Sequence, residues 1–342
     1  MSAIYNFTTL DGVGRDGPTS SAGYNGNPIV TLSSGIQIWT VPTGGTYEII
    51  AAGAQGGGTS SYETEGIKIK QEFPLTAGEE IYILVGQEGL QNGSRTVWQY
   101  SAGGGGGTFV VKKITGTALN SASETSILLI AGGGGAWRDI NMNATSAANA
   151  SGCSRASFTR NGKHGRYAPT SGAGADRGNN GGSNGNGGSY TIVSSYRGSS
   201  GAGFLGDGPE STDTRATNPG GTGAKSFKNG GIGCINTAYD SENAEGGFGG
   251  GGGGGWGGSG GGGGYSGGGA ANENSMAAGG GGGSYYQIPP DSASYVGYNT
   301  GHGYVTITFL APSTTPINES NVSLSHIKEK YIEHETTDAE GH

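Results

Sequence analysis

The stretch GGFGGGGGGGWGGSGGGGGYSGGG, residues 246–269, decides how this chain folds. By composition it is a flexible tether, because glycine-rich chains behave as random coils. Its context argues otherwise. Further glycine runs at 103–107, 132–135 and 279–283 abut the apolar segments GTFVVKKI, SILLIAGGGG and SYYQIPP. A linker separates folded elements, whereas these runs recur at the ends of strand-like segments, as parts of an architecture do.

Ordering one backbone residue costs roughly 1–2 kcal/mol, and a hydrogen bond returns roughly 0.5–1.5 kcal/mol net. A lone glycine strand therefore stays disordered. Extended threefold helices packed side by side are a different case: without Cβ atoms they approach one another on every side, and their N–H groups point laterally at neighbouring carbonyls. Residues 246–283 fold on this reading only if the other glycine runs lie beside them. The isolated Phe248, Trp256 and Tyr265 are then expected at the edges of the bundle, where side chains have room.

The chain has 342 residues, 77 of them glycine and 11 proline, and glycine does not recur at every third position, which excludes a collagen helix. Apolar residues make up 32% and concentrate in residues 29–130 and 285–310, so those two blocks are expected to share one core. The formal net charge of −8 and the lack of a basic stripe argue against a nucleic-acid partner. No run of 18 apolar residues exists, so membrane insertion is not expected. MSAIYNFTTLDG at the amino end has neither a basic nor an apolar signal region. The expectation is a chain made without secretion, or one from which a signal has been removed.

Short β-branched runs punctuated by turns fill the first block: IVTL, GIQIWTVP, TYEIIAAG, IKIKQEFP, EEIYILVG, GTFVVKKI and SILLIAGGGG. Ile36, Ile38 and Val41, and again Ile67 and Ile69, follow a period of two, which predicts antiparallel strands of a sandwich. After a polar Ser/Asn/Gly/Ala segment at 141–245, SYYQIPP and GHGYVTITFL restore strand character, with Val305, Ile307 and Phe309 alternating against Tyr304, Thr306 and Thr308. The expected partition is sandwich strands at 1–135, a glycine-rich insertion at 136–284, closing strands at 285–311, and a linker with a C-terminal helix at 312–342. That helix would carry Val322, Leu324, Ile327, Tyr331 and Ile332 on one face, capped by Asn321 or Ser323.

YNFTTLDGVGRDGPT, GIQIWTVPTGGTYEIIAAGAQGG, IYILVGQEG, AGGGGGTFVV, LLIAGGGGAW and EGGFGGGGGGGWGGSGGGGGYSGGGAA occur in an order and spacing that resemble the glycine-rich domain of the anaplastic lymphoma kinase and leukocyte tyrosine kinase ectodomains, from about Phe7 to Phe309. The resemblance implies an all-β fold: a jelly-roll-like antiparallel β-sandwich with an inserted bundle of polyglycine II helices. A cysteine near that family's amino-terminal motif stands as Leu10 here, and no kinase segment follows, so signalling is not carried over. Similar glycine-rich domains occur in bacterial and phage proteins, and polyglycine II bundles form the receptor-binding tips of T-even-type tail-fibre adhesins. INESNVSLSHIKEKY is similar to an SLS-containing pattern at the ends of phage tail proteins.

Catalytic constellations are not apparent. GVGRDG at 12–17 and GAGFLG at 201–206 fit GxGxxG but lie outside any βαβ context, and GAKS at 223–226 lacks the phosphate-loop frame. His164, His302, His326 and His334 are scattered, and there is no GxSxG elbow. No enzyme activity, metal or cofactor is expected. Cys153 and Cys234 leave two readings open, a single bridge or two buried thiols. Six sequons occur, at Asn6, Asn92, Asn143, Asn149, Asn318 and Asn321. The candidate recognition residues are aromatics standing among small residues: Trp137, Phe248, Trp256, Tyr265, Tyr285 and Tyr286. Each is read either as a contact for sugars or protein surfaces or as a staple holding the bundle to the sandwich.

The function expected from these features is a non-enzymatic phage-type virion protein. It would present the bundle to a cell-surface protein or glycan receptor and meet other virion subunits through its C-terminal segment. The alternative is a secreted, extracellular matrix-forming or ligand-binding domain. Homo-oligomer formation is left open by the sequence.

Overall fold

The computed structural model describes residues 3–24, 26–58, 64–91, 101–114, 116–137, 152–167, 178–189, 198–209, 223–235, 244–255, 258–271, 277–287 and 295–312. The expected C-terminal helix, Trp256 and every sequon except Asn6 lie outside them.

The strands are β1 (Ile4–Phe7), β2 (Val30–Ser33), β3 (Ile36–Thr40), β4 (Gly45–Ala52), β5 (Gly66–Leu75), β6 (Glu80–Leu84), β7 (Thr108–Lys112), β8 (Ile127–Ala131), β9 (Arg166–Tyr167), β10 (Ala277–Ala278), β11 (Tyr285–Tyr286), β12 (Tyr295–Asn299) and β13 (Tyr304–Pro312). They form a five-stranded sheet ordered β1-β13-β4-β5-β12, a six-stranded sheet ordered β11-β8-β7-β6-β3-β2, and a small β9–β10 pair. All pairings are antiparallel. The fold is a β-sandwich whose closing strand β13 returns to lie between β1 and β4.

The two sheets differ in pattern because they differ in burial. In the five-stranded sheet, β5 and β13 alternate: Ile67, Ile69, Val305 and Ile307 point into the inter-sheet core, where they meet Phe7, Trp39, Tyr47, Ile81 and Ile83. The six-stranded sheet is buried on both faces, so its strands read as almost unbroken apolar runs. Ile81, Ile83, Val110 and Leu129 face the other sheet. Tyr82, Leu84, Phe109, Val111, Ile127 and Ile130 face away from it. The set Ile36, Ile38 and Val41 splits between these faces: Ile36 and Ile38 join the outer cluster, and Val41, just past the strand, joins the inter-sheet core.

What covers that outer face is glycine. The segment at 260–265 donates to three neighbours in rotation: Gly260 and Gly263 to Ala102 and Gly105, Gly261 and Gly264 to Ser199 and Ala202, Gly262 and Tyr265 to Gly280 and Gly283. Partners recur every third residue and advance by three along each neighbour, which is the pattern of a threefold extended helix bonded laterally. The same segment accepts from Ala136 and Gly133 at Gly260 and Gly263, from Gly252 at Gly261, and from Gly268 at Gly262. It sits at the centre of a lattice of such helices. A Cβ on Gly260, Gly261, Gly262 or Gly263 would fall 2.0–2.2 Å from a neighbouring carbonyl oxygen, so no other residue fits there.

Bundle and sandwich share their chain. β4 runs into 53–57 and β8 into 132–136, while 103–107 leads into β7 and 279–283 into β11. Within these runs Gly103 and Gly106 donate to Leu90 and Gln87, and Gly104 and Gly107 donate to Gly252 and Gly249. The bundle therefore draws helices from both sides of residue 136. The polar segment 141–245 adds others: Gly162 bonds Gly182, Gly165 bonds Asn179, and Ala202 bonds Gly250. The GVGRDG word docks on the bundle, with Gly233 donating to Arg15 and Phe248 to Gly14, and the GAGFLG word enters it at Gly201 and Ala202 and then bends, with Gly203 donating to Gly206.

A carboxylate ties the far end of the bundle. Asp207 accepts from the Ser226 backbone N–H at 2.8 Å, from Asn229 Nδ2 at 2.9 Å and from Lys225 Nζ at 3.1 Å. Burial pushes its carboxyl upward, but these donors outweigh burial and hold it below the ordinary aspartate value. A depressed folded-state value contributes stability at neutral pH that is lost as pH falls through about 3.9 and below. Asp207→Asn is expected to flatten the acid limb of thermal melts collected between pH 6 and 3. An acid limb identical in wild type and variant would contradict this role.

Candidate functional site

The predicted recognition aromatics separate into three groups. Trp137, Phe248 and Tyr265 are 1%, 0% and 2% exposed and present no recognition surface. Phe248 and Tyr265 join Phe204 and Phe227 against the outer face of the six-stranded sheet, and Trp137 packs with Cys153 and Ala278. The reason is the three-layer arrangement: a large aromatic emerging from a lattice without side chains finds its apolar partners on the sheet beneath. Phe227 stacks between Phe109 at 5.1 Å and Phe204 at 5.3 Å. Trp256 lies outside the described residues. Tyr285 and Tyr286 are half-buried and mark a surface where aromatic side chains collect.

For the cysteines the sequence left a bridge and two buried thiols open, and the structure has the second arrangement. Cys153 and Cys234 are not bridged to each other and are buried in separate clusters, the first with Trp137 and the second with Ala202 and Ala224. Burial pushes the Cys234 thiol above its ordinary value, against reactivity.

The surface at Tyr285 and Tyr286 is built by two sheet edges. β11 and β12 are the edge strands of the six- and five-stranded sheets, on the side where β8 and β5 face each other. The segment 155–160 runs between them. Ala156 donates to Glu65, Ser157 donates to Gly282 at 2.8 Å, and Ser284 donates to Thr159 from its backbone and to the Ser157 carbonyl from its hydroxyl. These bonds hold Phe158 in a row of rings. Tyr286 to Phe158 is 5.2 Å between centroids, Phe158 to Tyr295 is 5.5 Å, and Tyr295 to Tyr298 is 5.8 Å. Tyr295 and Tyr298 are each 40% exposed, and Val296 between them is 41% exposed.

Arg155 closes the Tyr298 end of the row, and Arg160 lies beside its Tyr286 end, over Tyr285 on the other face of β11. Arg155 lies 4.5 Å over the Tyr298 ring and is ion-paired with Glu65 at 3.1 Å. Arg160, exposed, lies 4.3 Å over the Tyr285 ring and 5.9 Å from Tyr265. Tyr265 packs tilted against Tyr285 at 4.9 Å and donates its hydroxyl to the Glu124 carboxylate. Burial raises the phenols of Tyr286 and Tyr295 above the ordinary tyrosine value, with Tyr298 adding to the effect at Tyr295. At neutral pH these hydroxyls remain protonated and serve as both donors and acceptors.

Sequence reasoning reached Tyr285 and Tyr286 but missed Phe158, Tyr295, Tyr298, Arg155 and Arg160. Two signals were available: the Tyr-x-x-Tyr spacing of YVGY at 295–298, and two arginines flanking the single phenylalanine of SRASFTR at 154–160. Elsewhere, no group of three or more His, Cys, Asp or Glu among the described residues is placed to hold a metal ion. No helix among them is long and apolar enough to cross a membrane.

No family model matches the chain. It is 40% identical over 95 residues to the leukocyte tyrosine kinase receptor of Mus musculus, a similarity that spans 24% of this chain and only 11% of the receptor.

Proposed function

We propose that the protein is a non-enzymatic extracellular recognition module. In this reading the sandwich and its glycine lattice form a rigid stand, and the tyrosine row across β11 and β12 is the contact surface. The observation that carries the proposal is the exposed row Tyr295–Tyr298, fixed at one end by the ion pair of Arg155 with Glu65. Half-exposed tyrosines whose rings already pack on one another lose little entropy when they are covered. The similarity to a receptor supports the extracellular setting.

The test is a mixed array of glycans and extracellular proteins probed with the full chain and with the double variant Tyr295→Ala/Tyr298→Ala. The wild type is expected to bind a subset of spots, and the variant, melting at the same temperature, to lose them. Binding retained by the variant would place recognition elsewhere.

The virion-surface reading has one structural observation on its side. Cys153 and Cys234 are buried apart and unbridged, an arrangement compatible with assembly in a reducing compartment. The phage-like segment at 317–331 lies outside the described residues. Antibody labelling of purified particles from the source would favour that reading, and labelling of the secreted fraction alone would oppose it.

A further inference from the structure

We propose that the aromatic band takes an extended acidic carbohydrate, its sugar rings lying on the row from Tyr286 to Tyr298 and a carboxylate reaching Arg160. This rests on the reading of the band as the contact surface and names the class of ligand.

The first argument is size. A large aromatic side chain has 150–250 Å² of surface, so Tyr295 and Tyr298, each 40% exposed, offer roughly 60–100 Å² apiece, about 120–200 Å² together. A stable protein interface needs about 800 Å² on each partner. The strip is too narrow for that and suits a linear ligand one unit wide.

The second argument concerns backbone. A peptide would gain affinity at a sheet edge by adding a strand. The β12 edge is interrupted: its register shifts between Tyr295 and Gly297, and Gly297 has φ +138°. Such a bulge blocks regular strand addition. What the edge offers is ring faces and phenolic hydroxyls, which match the C–H faces and hydroxyls of pyranose rings.

The third argument is charge. The chain carries a formal net charge of −8, yet arginines flank the band, Arg155 over Tyr298 and Arg160 over the neighbouring Tyr285. Arg155 is engaged by Glu65, with its Nε at 3.1 Å and Nη2 at 3.4 Å from the carboxylate. Arg160 lies over Tyr285, using its face, and among the described residues no carboxylate is ion-paired with its in-plane N–H fork, which can take a planar carboxylate. A neutral glycan or a proline-rich peptide would stack on the tyrosines and leave that fork without a partner.

The experiment is calorimetric titration of the full chain with four probes: oligogalacturonate, a cello-oligosaccharide of equal length, poly-L-glutamate and a proline-rich peptide. Oligogalacturonate is expected to bind tightest of the four. Tyr295→Ala/Tyr298→Ala should weaken it by about tenfold or more, and Arg160→Gln by about tenfold, the scale of one charge-assisted contact. Arg160→Lys, which keeps the charge and loses the fork, should fall between. Equal affinity for poly-L-glutamate would reduce the effect to charge alone and overturn the proposal, and equal affinity for the neutral sugar would overturn the role of Arg160. Failure of both sugars would also overturn it. If the array then showed tyrosine-dependent binding of proteins only, the recognition surface would stand and the carbohydrate assignment would fall.

Discussion

Gly262→Ala is expected to destabilise the protein by at least about 3 kcal/mol, at the severe end of single substitutions. The added Cβ would lie 2.2 Å from the Gly133 carbonyl oxygen and 2.8 Å from its carbonyl carbon. Both are backbone atoms of a neighbouring helix, so no rotamer change relieves the clash. Moving that helix breaks the Gly133-to-Gly263 and Ala136-to-Gly260 bonds and leaves buried N–H groups without acceptors. The control is Gly152→Ala, where a Cβ meets nothing within 4 Å. There the substitution restricts the unfolded chain and is expected to be neutral or to stabilise by up to about 1 kcal/mol. The pair distinguishes lattice from linker by sign, because alanine in a flexible glycine tract costs nothing. Denaturant melts of the two variants read it directly, and equal melts would contradict the lattice.

Phe248→Ala is expected to cost about 3–5 kcal/mol, the range for emptying a fully buried aromatic site. Phe248 is 0% exposed and sits with Phe204, Phe227 and Tyr265 against Leu84, Phe109 and Ile130. Its ring also lies where Gly17 and Gly35 come together: a Cβ on Gly17 would fall 2.6 Å from the ring tip. One side chain thus holds the amino-terminal loop, the bundle and the six-stranded sheet. Amides in the bundle should lose exchange protection before those of β4 and β13, which belong to the inter-sheet core. A loss of stability below about 1 kcal/mol would show that the aromatics do not hold the layers together.

The sandwich was legible where one face is buried and one is wet. IKIKQEF and YVTITF carry the alternation of β5 and β13 openly. IYIL and TFVV announce strands but not their second buried face, since a continuous apolar run does not say what lies on either side. The bundle was legible only as a condition, that the glycine runs must lie together, because its burial is of backbone and leaves no trace in hydropathy. The same cause left Phe248 and Tyr265 open between a recognition contact and a staple of the bundle onto the sheet, the place where they pack. Within their own sequence neighbourhood they have nothing to pack on; their partners are Leu84, Phe109 and Ile130, distant in the chain. The short strands β1 and β12 went unread for want of alternation, and with β12 went Tyr295 and Tyr298, half of the exposed row.

Amide hydrogen exchange across residues 260–265 and 279–283 tests the central claim, that the glycine runs form a hydrogen-bonded lattice. Donors here are matched one to one with carbonyls on neighbouring helices. The lattice predicts protection comparable to that of β4 and β13, released only on global unfolding. Exchange at the rate of an unstructured peptide throughout these segments would contradict it.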